Sequence, residues 1–166
     1  MIKKLILAVA IALALPVVAN AQKFGIVNAD EIITALPDFT KMQEQLTEAS
    51  KSYEGEFKKL QDEFDKKYAE FQNLGNDTPD SIKERRMSEL QELNQKIQQF
   101  RNTAEQDLQR QQQTLMAPIE QKLMDAINAV GAEGGYTFIF QEGMAAFAGK
   151  DVVNVTSAVK TKLGVK

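Results

Sequence analysis

The chain has 166 residues, with 20 basic and 23 acidic side chains, no histidine and no cysteine. These absences exclude the commonest general base, the commonest soft metal ligands, disulfides, thiolate chemistry and a lipidated cysteine terminus. The slightly acidic balance, without a basic patch, also argues against nucleic-acid binding.

Lys3 and Lys4 open the chain, Leu5 to Leu15 is an uncharged apolar run, Pro16 breaks it, and Ala19-Asn20-Ala21 supplies small residues. This is the layout of a secretory signal peptide over 1–21, cleaved near Ala21, and the run is short for a bilayer span. The alternative is an uncleaved membrane anchor. The expected mature protein starts near Gln22, keeps no stable membrane insertion, and in a two-membrane envelope resides in the periplasm. Losing Lys3 and Lys4 leaves 20 − 2 = 18 basic groups against 23 acids, a net of −5.

Phe24 to Asn28 alternates apolar residues with others and reads as a short strand. Ile32, Ile33 and Leu36 have helical spacing, and Pro37-Asp38 re-aims the chain into a long arm. Between Pro37 and Val130 apolar residues return every eleven positions. Leu46, Phe57 and Tyr68 form one row, Ala49, Leu60 and Phe71 a second, and Tyr53 and Phe64 start a third. Beyond a breaker at Gly75-Asn76-Asp77-Thr78-Pro79 the rows are Ile82, Leu93, Ala104, Leu115 and Ala126, then Ile97, Leu108, Ile119 and Val130. Eleven residues over three turns is about 3.67 per turn, so each row holds one face of a nearly straight helix. The expected product is a long antiparallel helical hairpin with its tip near 75–79, its two arms roughly 55 and 75 Å long.

Folding back near Asp77 sets Phe64 beside Leu90, Phe57 beside Ile97, Tyr53 beside Phe100, Leu46 beside Leu108, and Leu36 opposite Pro118. The seam is thin, because Gln111 stands where an apolar row should continue and Gln106, Gln109, Gln112 and Gln113 surround it. Such a seam buries little per turn and should bend or splay easily. Pro118 should kink the second helix. Charges of both signs, such as Lys58, Lys59, Asp62 and Glu63, read as a solvated face.

After Val130, Gly131, Gly134 and Gly135 stop the helix. Tyr136 to Gln141 and Met144 to Ala148 read as two further strands, and Asn154 or Thr156 as the cap of a last helix carrying Val155, Val159 and Leu163. The fold class is α+β: an arm over 37–125 projecting from a small β body made of 22–36 and 126–166. Three short strands leave open edges and a core too small to stand alone comfortably, which self-association would relieve.

The order of elements, with the IVN strand at Ile26 to Asn28, Pro118-Ile119, Ala126-Ile127, Gly135-Tyr136 and Val155-Thr156 leading into Val159 and Leu163, resembles the Skp, or OmpH-like, family of periplasmic chaperones. The resemblance covers essentially the whole expected mature chain. It implies a homotrimer whose strands form a compact β body, with three hairpins hanging around a cavity. It further implies that the cavity holds unfolded outer-membrane β-barrel proteins without ATP, and that these pass to the outer-membrane insertion machinery. The oligomerisation strands would carry Phe24, Ile26, Val27, Tyr136, Phe138, Phe140, Met144 and Phe147. The best-known members are strongly basic, whereas this chain is acidic, so lipopolysaccharide binding is not carried over. Asn154 stands where the family has Asp and still serves as a cap.

No nucleophile elbow, phosphate loop or dinucleotide fingerprint appears, so neither enzymatic activity nor a cofactor is expected. Holding an unfolded chain needs many weak, adaptable apolar contacts instead. Tyr53, Phe64, Met87, Leu90 and Phe100 are the candidate client-binding residues, with packing of arm against arm as the alternative. Met87 and Leu90, near the tip, have the better claim, since Met adapts to varied partners. The competing functional class is a structural or adaptor coiled coil that tethers one fixed, folded partner.

Overall fold

The first strand, β1 (Phe24–Val27), lies in the centre of a three-stranded sheet. A computed structural model describes residues 22–165, so the expected signal peptide lies outside the described residues. β1 pairs in parallel with β2 (Phe138–Gln141) on one side and with β3 (Val153–Asn154) on the other. The register sets Phe24 against Phe138 and Ile26 against both Phe140 and Asn154. Parallel neighbours require a long crossover, and here the crossover from β1 to β2 contains the whole arm.

Asn28 ends β1 and caps α1 (Ala29–Ala35), its side chain accepting from the Glu31 N–H at 2.9 Å. Leu36 is extended, as a residue before proline prefers, and Pro37 opens α2 (Pro37–Gln72) where no N–H is needed. After the turn, α3 (Asp80–Gly134) runs for 55 residues. It continues through Pro118 without a break. Pro118 lacks the N–H that would bond to the Thr114 carbonyl, and both residues are exposed. Gly135, at φ +64°, ends the helix in a left-handed cap, where the Tyr136 N–H donates to the Gly131 carbonyl at 3.0 Å. Among the described residues no helix is long and apolar enough to cross a membrane.

The last helix, α4 (Thr156–Leu163), closes the body. Asn154 accepts from the Thr156 N–H at 2.9 Å, while the buried Thr156 hydroxyl accepts from the Asn28 N–H at 2.9 Å. The segments before and after the arm are thus tied directly. The main core unites Val27, Ile32, Leu123, Ala126, Val130, Val155 and Val159. A second cluster of Leu36, Met42 and Ile119 seats the root of the long helices, with Leu46 and Leu115 packed against it.

Three sequence expectations change. Met144 to Ala148 is not a strand; it forms bends and open loop, and the sheet position beside β1 is filled by β3 instead. The segment pairs with neither outer edge of the sheet, and its three alanines carry little β preference. Tyr136 lies before β2 and packs half-buried against the core beneath Lys23, so it does not belong to a strand. Val27 faces inward at 3% exposure, where it cannot meet another copy.

Candidate functional site

Cross-contacts between α2 and α3 run in opposite directions along the two helices. Asp38 meets Lys122 at 2.9 Å, Tyr53 donates its hydroxyl to Asp107, and Lys67 reaches Glu89 at 3.2 Å. Tyr53 also stands edge-on to Phe100, with centroids 6.1 Å apart. Closer to the body, Leu46 and Leu115 both pack on the cluster of Leu36, Met42 and Ile119, whereas apolar matching set Leu46 beside Leu108. Leu108 and Leu115 are seven residues apart on the same face, so apolar matching alone does not distinguish them. The polar contact at Asp107 does.

The five candidate contact residues separate into distinct environments. Leu90 is buried at 6% exposure in the seam, so it is an arm-packing residue and not a free contact. Its position beside Leu93 and Ile97 at helical spacing makes it part of the inward stripe. Met87 is 42% exposed. Tyr53 and Phe100 are half-buried against each other, and Phe64 stacks on the exposed Tyr68 at 6.1 Å. A shallow groove opens at mid-arm, lined by Tyr53, Phe57, Phe100, Ala104 and Leu108, with a volume of about 440 Å³. The Arg101 guanidinium lies 5.9 Å from the Phe57 ring and separates this groove from a second one beside Phe64.

Two polar nodes cross the seam. Asp107 accepts from Tyr53, from Arg110 and from the Gln111 amide at 2.7 Å. The apolar rows flagged Gln111 but not Asp107; its place four residues before Gln111 on the same face was the available signal. Nearer the tip, Arg86 and Lys67 hydrogen-bond to Glu89 and hold its carboxyl below the usual carboxylate range. Asp38, bonded by Lys122, is likewise lowered.

The body presents a different surface. Phe24, Ile26, Phe138 and Phe140 share the outer face of the sheet, away from the core. Phe24 stacks on Phe138 at 6.3 Å and Phe138 on Phe140 at 5.8 Å. Phe138 and Phe140 remain exposed, and the loop beyond them leaves Met144 76% and Phe147 85% exposed. Exposed apolar residues this concentrated mark an interaction surface.

The chain can be compared with known proteins over nearly its whole length. The family model described as "Outer membrane protein (OmpH-like)" matches residues 23–163. A "Chaperone protein Skp" of Photorhabdus luminescens is 28% identical over 166 residues, covering 95% of this chain and 96% of the relative. A "Chaperone protein Skp" of Yersinia enterocolitica is 25% identical over 148 residues, covering 88% and 90%. The family match takes in the sheet, both long helices and the closing helix, so this chain belongs to the OmpH-like family.

Proposed function

We propose that the protein is an ATP-independent holdase chaperone of the periplasm. In this reading three copies join through their sheets, and their helical hairpins enclose a space that holds unfolded outer-membrane β-barrel proteins before insertion. The observation that carries the reading is the pairing of two surfaces on one chain. An apolar outer sheet face with an exposed loop stands at one end, and a long, thin-seamed helical pair reaches away from it. The names of the relatives, both chaperones, support the same reading.

Phe24, Ile26, Phe138 and Phe140 are the assembly contacts. Met144 and Phe147 add to them, their segment ordering against the sheet edge of a neighbouring copy. Burial of such residues contributes about 1.5–3 kcal/mol each. Client contact falls to Met87 and to the aromatic grooves beside Tyr53, Phe64 and Phe100, whose shallow, open form suits partners without fixed shape.

The test is the mass of the mature protein in solution, followed by its capacity to keep a denatured barrel protein soluble without nucleotide. A trimer that binds several unrelated unfolded barrels and ignores their folded forms supports the reading. A monomer at working concentration overturns it. Binding of one folded partner at fixed stoichiometry would instead assign the adaptor role.

A further inference from the structure

One broad exposed face of α3 is almost entirely carboxamide, running from the groove beside Phe64, where Asn94 and Gln98 stand, round to the side turned away from α2. Gln91, Asn94, Gln95, Gln98 and Gln99 follow one another at i, i+3, i+4, i+7 and i+8, all are exposed, and together they line one shallow groove. At about 100° per residue Gln91, Gln95 and Gln99 lie opposite the buried stripe of Leu93, Ile97 and Ala104, while Asn94 and Gln98 flank it. Asn102, Gln106 and Gln109, also exposed, continue it toward the body. Arg101, Glu105 and Arg110 fall at its margins. The outward face of α2 is built differently, from charged residues such as Lys58, Asp62 and Lys66.

Two helices of one arm therefore offer water two kinds of surface. A charged face is enough for solubility, so the uncharged one calls for a separate explanation. A carboxamide carries two N–H donors and a carbonyl acceptor, the same complement that a peptide group offers and requires. An unfolded chain is the one partner that displays many unpaired peptide groups at once, whatever its side chains. Resting on the holdase reading above, we propose that the carboxamide face of α3 lines the client space and grips the main chain of an extended, unfolded polypeptide.

The chemistry matches the task in two respects. Lacking charge, the face repels neither acidic nor basic client segments, whereas the fixed charges on α2 would repel like charges. Each amide-to-peptide hydrogen bond is worth little net, so a client held by many of them exchanges between partners and leaves without an energy source. Glutamine side chains have enough rotatable bonds to follow a backbone that has no fixed path.

Two measurements on the full mature protein test this, with a denatured outer-membrane barrel as the probe. A photoreactive side chain at Gln95 should cross-link to the barrel, and one at Asp62 should not; the reverse pattern, or equal cross-linking at both, overturns the proposal. The variant Gln91→Ala, Gln95→Ala, Gln99→Ala leaves the aromatic grooves untouched and keeps helix propensity, since alanine is the best helix former. It should weaken client binding about tenfold, with helicity and mass unchanged. Equal affinity in the variant overturns the proposal alone and leaves the holdase reading standing. Altered mass at equal affinity assigns the face to contacts between arms and overturns it too. If the unaltered protein binds no unfolded barrel, both readings fall.

Discussion

Body and arm are built from the same kinds of residue and yet are sealed to different degrees. In the body, Ile32 and Val159 are wholly buried, enclosed by the sheet, the root of α3 and the closing helix. Along the arm beyond its root, only two helices meet, and even the best-covered seam residues there, Leu90 and Leu93, retain 6% exposure. Polar nodes at Asp107 and Glu89 interrupt that seam. Layered packing fixes the root, while a two-helix seam holds its shape with little energy to spare per turn.

The sharpest way to break this contrast is to empty the body. Ile32→Ala removes a side chain with no route for solvent to refill the space, and should cost about 2–5 kcal/mol in denaturant unfolding. Leu93→Ala should cost less, about 2 kcal/mol, because the hole opens onto a seam that can close. Equal losses at both sites would show that the arm is as well packed as the body.

Much of this contrast was legible in the chain itself. Eleven-residue rows locate the helical stretches, because a residue recurring near 3.67 per turn stays on one face. The Gly75 to Pro79 cluster lies where the chain leaves α2 and starts α3. The sheet was harder. Met144 to Ala148 resembles a strand by alternation, yet the edge it would need is held by Val153-Asn154, two residues too few to stand out. Which strands share a ladder is decided by contacts across more than a hundred residues, and local pattern does not encode them. Leu90 was misplaced for a related reason: near a tip, burial depends on which turn of the partner lies opposite.

Smaller effects sharpen the comparison further. Tyr53→Phe deletes the hydroxyl that Asp107 accepts, at a cost of about 1 kcal/mol. Amide exchange should quicken around Tyr53 and Asp107 and stay unchanged at Val27 and Val159. A uniform change through both regions would show that arm and body open together.

Acid should produce the mildest change. Glu89 and Asp38 both have folded values below their ordinary 4.5 and 3.8. Their contribution is therefore complete above those ordinary values, and it fades as the pH falls through the lowered folded ones. Circular dichroism below pH 4.5 should show the arm loosening, and Glu89→Gln should remove part of that acid sensitivity. An identical acid profile in the variant would assign the loosening to other carboxylates.

The placement of β1 between two strands from the far end of the chain has a consequence for biogenesis. A polypeptide delivered N-terminus first exposes Phe24 to Val27 long before either neighbour exists, so the sheet cannot begin until β2 has emerged on the far side of the arm. The two long helices need no such wait, since their contacts are closer in sequence and their turn is short. Once paired, they bring β1 and the strands that follow the arm back to one place and act as a splint for the last joint to close.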